Sequence, residues 1–478
     1  MANGSSPVHE ALAHLESNFD GFKKTLVELA KIPSISASPF PKEAVQRSAA
    51  AVADSLRGAG AENVQILTIE GVHPYVYGDF MHTKGAPTIL LYGHHDVQPV
   101  GNEARWGTSP FEPVEKGGRL FGRGTADDKG GVMTHVAAVA CYLKSGGALP
   151  CNVKFVIEGE EEIGSENLLQ FLKKFRKMLD ADFIVLSDTA NFDTGVPALT
   201  YLLRGIVQVD VEVETIKQPR HSGMWGGPIP DPVQVLSRII ADLTAPDGKL
   251  NVPGLYNKVA KTSGKQLARI RKLPFRETQF KKEAGLLAGV RLSGEPRYSV
   301  YERMWTRPSL TVIAMESHPI KGSSNQIVNA ARARLSLRTV PNMDGAEAGR
   351  LLVKRLSRNP PHGAKVTAKV TGSTPWWTTD PEGPAFEAAR RALKAGYGKD
   401  TAMIGAGGTI GFVGPFAKML GGVPCLLMGV EDPYCNAHSE NESLDLGDFK
   451  KSIRSAIFLY DELSRVPTKK PAQTVFRA

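Results

Sequence analysis

Three observations predict an α/β fold with a second domain set into it. Short apolar runs alternate with amphipathic stretches over residues 64–188 and again over 384–463, the pattern of βαβ units around a mostly parallel sheet flanked by helices. Between them, residues 206–213 alternate strictly between apolar and polar, as half-buried antiparallel strands do. At 478 residues, moreover, the chain is longer than one core serves. The expected organisation is a discontinuous α/β domain over residues 1–203 and 374–478, with an α+β domain bearing an antiparallel sheet inserted at 204–373.

The elements follow in order. Leu12, Leu15, Phe19, Phe22, Leu26 and Leu29 recur at helical spacing and predict a helix over 9–30, ended by Pro33, Pro39 and Pro41. A second helix is expected over 45–58, stopped by Gly58. Runs such as Ile89-Leu90-Leu91 and Phe155-Val156-Ile157 read as strands, and Val132, Val136, Val139 and Leu143 mark one face of a helix after Gly131. In the inserted domain, alternation returns at 310–313, 333–338 and 366–370, with helices expected over 232–243 and 346–356. Beyond it come a helix over 384–395, a strand over 424–428 and a helix over 446–463. The tail from Pro467 is polar and expected to be mobile.

With 42% hydrophobic and 22% charged residues, the composition is that of a globular protein. The formal charge of +9 admits anionic partners. Yet the basic residues between Lys258 and Lys282 accompany no nucleic-acid-binding motif and read as a solvated face, so no nucleic acid is expected. No apolar run approaches the ~18 residues of a membrane span, and residues 1–7 do not resemble a signal peptide. The four cysteines lack CxxC spacing and suit a reducing compartment, so a cytoplasmic location is expected.

Chemistry concentrates in five short patches. They are Gly93-His94-His95-Asp96, Gly122-Arg123-Gly124-Thr125-Ala126-Asp127-Asp128, Glu158-Gly159-Glu160-Glu161-Glu162, Leu186-Ser187-Asp188 and Asn436-Ala437-His438. Each alone has a plainer explanation: a hydrogen-bonded His, a capped turn, a solvated acidic loop. Together, at predicted strand-to-loop junctions of one domain, they converge on the crevice at the carboxyl ends of an open sheet. Carboxylates and imidazoles without paired thiolates suit Zn, Mn or similar divalent ions rather than a structural zinc. Two such ions about 3.5–4 Å apart need a bridging carboxylate, and they acidify a shared water whose proton a nearby carboxylate must take. Which acid of the Glu160–Glu162 run would fill each role is not fixed by the run itself.

As an ordered set these motifs, with Val97-Gln98-Pro99, Trp106-Gly107-Thr108-Ser109-Pro110-Phe111 and Pro341-Asn342, resemble the co-catalytic two-metal exopeptidase family. That family includes carboxypeptidase G, aminoacylase and carnosine dipeptidase, and the likeness is greatest to its cytosolic non-specific dipeptidase and carnosine dipeptidase members. The resemblance implies two divalent ions per subunit, Zn or Mn: His94 and Asp188 on one, Glu162 and His438 on the other, and Asp127 bridging both. The family pattern Glu-Gly-x-Glu-Glu-x-Gly-Ser, laid on Glu158 to Ser165, implies that Glu161 is the general base and acid. Asp96 would orient His94, while His95 and Asp128 receive no role.

The resemblance also implies that His221 polarises the scissile carbonyl from the partner subunit of a homodimer. The inserted domain would then serve as lid and dimer contact. Arg338 would grip the substrate carboxylate, Asn325 would contact substrate, and Gly408 and Thr409 would offer polar groups to the same carboxylate. Relatives often carry Arg-Glu-Gly-Gly-Ser-Ile-Pro where this chain has Gly405-Ala406-Gly407-Gly408-Thr409-Ile410-Gly411. The loop here is smaller and less charged, which leaves the substrate side open. The implied activity is metal-dependent amide hydrolysis of small peptides or N-acyl amino acids with a free carboxylate. An N-acyl- or N-carbamoyl-amino-acid amidohydrolase and a non-catalytic ligand-binding paralogue are the alternatives.

Overall fold

The computed structural model describes residues 6–146 and 148–468; most of the polar tail expected from Pro467 lies outside the described residues. The chain divides into two compact units, the first comprising Met1–Tyr201, Asp380–Ile404 and Phe412–Ala478, the second Leu202–Thr379 and Gly405–Gly411.

Unit 1 is built on a mixed sheet. Its strands are β1 Glu62–Leu67, β2 Tyr75–Phe80, β3 Thr88–His94, β4 Asn152–Glu158, β5 Phe183–Leu186, β6 Ala198–Leu203, β7 Ala402–Ala406 and β8 Cys425–Leu427. Their spatial order is β1-β2-β4-β3-β5-β8-β6, with β7 on β6. The central ladders β4-β3, β3-β5 and β5-β8 are parallel, whereas β1-β2, β2-β4 and β8-β6 are antiparallel. The sheet expected to be mostly parallel is therefore parallel at its centre and antiparallel at its flanks. Residues 68–74 between β1 and β2 are too few for the crossover that a parallel pair needs.

Helices cover this sheet: α1 Pro7–Ala30, α2 Lys42–Ala59, α3 Lys129–Lys144, α4 Pro384–Tyr397 and α5 Leu446–Ser464. α1 begins slightly before the expected boundary because the Ser6 side chain caps it and Pro7 fits its first turn. α2 stops where Gly60 turns into the left-handed region at φ 101°. α3 is apolar nearly all round and buried along almost its whole length, as a helix hydrophobic on every side must be. Among the described residues, no helix is long and apolar enough to cross a membrane.

Unit 2 carries a four-stranded antiparallel sheet in the order Ser309–Glu316, Ala330–Thr339, Gly205–Glu214, Lys365–Thr374. Val207, Val209, Val211 and Val213 point inward and, with Val235, Leu236 and Leu352 of the helices Pro232–Ala241 and Gly345–Leu356, form its core. The opposite face pairs Arg334 with Asp210 and Arg332 with Glu212, both at 2.7 Å. Gly405–Gly411, expected with the flanking α/β segments, groups with unit 2 instead. The Arg204 guanidinium donates to the Gly407 carbonyl at 3.1 Å, and the Thr409 hydroxyl donates to the Arg204 carbonyl at 2.6 Å.

Candidate metal centre

Several of the expected site residues leave the carboxyl ends of neighbouring parallel strands. His94 is the last residue of β3, Glu161 and Glu162 follow β4, and Asp188 follows β5. Asp127 precedes α3, and His438 lies in the loop after β8. Two glycines permit the close approach of these segments. A Cβ on Gly93 would stand 2.6 Å from Asp128 Oδ2, and one on Gly131 would stand 2.6 Å from the Ser187 carbonyl oxygen. Any side chain at either position would lever α3 away from the strand ends.

The donor atoms converge in two groups that share one residue. Those of His94, Asp127 and Asp188 lie within 4.8 Å of one another, as do those of Asp127, Glu162 and His438. His94 Nε2 is 3.0 Å from Asp127 Oδ1 and 3.8 Å from Asp188 Oδ1. His438 Nε2 is 2.9 Å from Asp127 Oδ2 and 3.2 Å from Glu162 Oε2. The two oxygens of Asp127 thus face different imidazoles, the arrangement that a bridging ligand requires. All donors are nitrogen or oxygen, and none of the four buried, free cysteines joins either group. This donor set fits a pair of divalent ions.

Charge in the pocket is unbalanced. Burial alone would raise the Asp127 carboxyl, but hydrogen bonds to His438 and His94 hold it well below the usual carboxylate range. The same contacts, with Asp127 first and Glu162 next, push His438 up to about 11. Burial and then Asp188 push Glu161 well above the ordinary range, and burial and then Asp127 bring Glu162 up to about 7. Acids outnumber imidazoles, which is the deficit that bound cations fill.

A surrounding ring of hydrogen bonds fixes the donors. The Asp96 carboxylate accepts the N–H groups of Glu161 at 3.2 Å and Glu162 at 3.1 Å and the Ser36 hydroxyl at 2.6 Å, and it lies 3.3 Å from His94 Nδ1. Gln98 donates from its backbone N–H and its side-chain amide to Glu162, at 3.0 and 2.9 Å. Glu442 pairs with Arg123 at 2.7 Å and accepts the N–H groups of Ala126 and Asp127 at 3.0 and 3.1 Å. Asp128 accepts the His94 N–H at 3.1 Å, and His95 turns away to the Pro74 carbonyl at 3.1 Å. Ser36 and Glu442 escaped the sequence reading, because isolated polar residues in distant segments leave no periodic trace. Gln98 adjoins the first patch and could have been found there.

The remaining expected residues belong to unit 2. Arg338 Nη1 donates to the Thr409 hydroxyl at 2.8 Å, with Gly408 exposed beside it. His221 is exposed on a two-stranded ribbon opposite Gln326, and the Asn325 carbonyl accepts the Ser222 N–H at 2.9 Å. Arg338, Gly408 and Thr409 thus form one cluster, and His221 and Asn325 another.

Known proteins resemble this chain over most of its length. The profile of peptidase family M20/M25/M40 matches residues 90–459. Cysteinylglycine-S-conjugate dipeptidase of Corynebacterium striatum is 35% identical over 78% of this chain and 81% of its own length. Cys-Gly metallodipeptidase dug1 of Schizosaccharomyces pombe is 30% identical over 95% of this chain and 97% of its own. Among solved structures, human carnosine dipeptidase 1 superposes with a TM-score of 0.84 at 26% identity, covering 97% of this chain and 100% of that one.

Proposed function

This chain belongs to peptidase family M20/M25/M40 and is a metal-dependent peptide hydrolase; from that premise we propose that it cleaves dipeptides with a free carboxylate, as its Cys-Gly and β-Ala-His dipeptidase relatives are named for doing. The observation that carries the reading is the division of the Asp127 oxygens between His94 and His438. His94 and Asp188 would hold one ion, Glu162 and His438 the other, and Asp127 both, with Zn or Mn as the ions this donor set suits. When bound, such ions polarise the scissile carbonyl and make a water acidic near neutral pH.

Glu161 takes the proton of the attacking water and passes it to the leaving nitrogen. Its backbone N–H, tied to Asp96, limits where its carboxylate can reach. Asp96 also keeps the His94 ring oriented. Arg338, with Gly408 and Thr409, receives the substrate carboxylate, and Asn325 contacts the substrate. His221 donates to the developing oxyanion, reaching over from the second subunit of a homodimer. Support for such a dimer comes from unit 2, where the edge strand Ser309–Glu316 leaves Ile313 and Met315 each 50% exposed and where Met224, beside His221, is 77% exposed. The buried free cysteines accord with a cytoplasmic location.

Glu161→Gln is expected to lower kcat by about 10²–10⁴-fold while metal per subunit, read by elemental analysis, stays at the wild-type value. Chelation should abolish turnover, and Zn or Mn should restore it. Undiminished turnover in Glu161→Gln would overturn the proton-transfer role. Mixing inactive His221→Ala with inactive Asp127→Ala should regenerate activity, and the absence of any recovery would refute a shared site.

A further inference from the structure

The acids on the loop that carries His438 are satisfied very unequally. Asp432 forms a two-point pair with Arg119 at 2.7 and 3.0 Å and also accepts the Thr194 hydroxyl at 2.7 Å. Glu442 has Arg123 at 2.7 Å. Glu440 accepts the Asn102 N–H at 3.1 Å. Glu431 is different. Its backbone is fixed, for its carbonyl accepts the Asn191 N–H at 2.8 Å in a parallel bridge with Ala190, just beyond Asp188. Its carboxylate, however, has no hydrogen bond or ion pair among the described residues. Asp127, Asp188 and Glu442 act on it as like charges, and His438 opposes them.

Glu431 is partly exposed, so a cation arriving from solvent can reach this carboxylate and offset the cost of holding it among like charges. The proposed ions do not supply it. Glu431 joins neither group of donors close enough to share an ion. Glu442 is already matched by Arg123, whereas Glu431 has no cationic side chain paired with it among the described residues. An unmodified α-dipeptide carries one ammonium group on the carbon next to its scissile carbonyl, whereas N-acyl and N-carbamoyl amino acids carry none.

We infer that Glu431 receives the free N-terminal ammonium of the substrate and so selects unmodified dipeptides over N-acyl and N-carbamoyl amino acids. The inference rests on the two-ion reading above, and its test separates the two. Ala-Ala and N-propanoyl-alanine differ only in the ammonium group. Their kcat/KM values are measured for wild type and Glu431→Gln, alongside metal content by elemental analysis. Where N-propanoyl-alanine turns over too slowly to follow, its inhibition constant against Ala-Ala is used. Wild type is expected to favour Ala-Ala. In Glu431→Gln that preference should fall by about 10- to 100-fold, the worth of one charge-assisted hydrogen bond, chiefly through KM, with metal content equal to wild type. An unchanged preference, equal losses on both compounds, or loss of metal from Glu431→Gln would each overturn the assignment. Absence of metal and of all hydrolysis in wild type would instead defeat the two-ion reading itself.

Discussion

Replacing Glu442 with Gln isolates the ion pair beneath the Asp127 loop. Arg123 and Glu442 are 1% and 0% exposed and 2.7 Å apart. Gln preserves the size of the side chain and one acceptor oxygen for the Ala126 and Asp127 N–H groups, but it strands the guanidinium. Arg123 is then left with the Pro99 carbonyl at 3.0 Å and the Trp106 ring at 5.4 Å. Breaking one side of a buried pair costs about 3–5 kcal/mol, and in a unit of this size each kcal/mol moves Tm by roughly 2 °C. The expected fall is therefore ~6–10 °C in thermal unfolding followed by circular dichroism. Chelator is included so that ion binding does not contribute. Adding Arg123→Met removes the stranded cation and should return more than half of the loss. A Glu442→Gln protein melting within about 1 °C of wild type, or a double variant no better than the single one, would refute this account of the loop.

Asp96→Ala removes the common acceptor of Glu161, Glu162 and Ser36. Metal affinity should fall by about 10–100-fold in competition with a graded chelator, and an unchanged affinity would count against Asp96 as an orienting group. His135, 2% exposed and 2.9 Å from the Tyr460 hydroxyl, is held down to about 3 by burial. Its unfolded value is about 6.5, so the unfolded chain binds the extra proton, and stability is lost as pH falls from 6.5 toward 3. The slope approaches about 1.4 kcal/mol per pH unit. Urea unfolding at several pH values should show a shallower decline for His135→Gln than for wild type.

Much of the architecture was readable because it rests on local periodicity. The alternation of residues 206–213 announced a strand with valines on one face, and the apolar runs before His94 and Glu158 announced strands that end at the pocket. The antiparallel flanks of the larger sheet were not readable, since strand direction depends on connection geometry rather than composition. The acids and imidazoles of the site were visible as residue types on separate loops. Their neighbours were not: Ser36 meets Asp96 across 60 positions and Arg123 meets Glu442 across 319. A lone Glu such as Glu431 is indistinguishable in the sequence from any solvated acid until its missing partner is seen.

β8 lies between β5 and β6, although it comes late in the chain. While the polypeptide is being synthesised, the edge of β5 that faces β8 stays open until Cys425–Leu427 has left the ribosome, and the loop with His438 follows later still. The four strands of unit 2 all fall within 205–374 and can pair well before that. A nascent chain therefore carries one finished sheet and one with an unguarded apolar seam, the kind of surface that chaperones bind. The loop with His438, one member of the second donor group, is thus among the last parts of the site to be made.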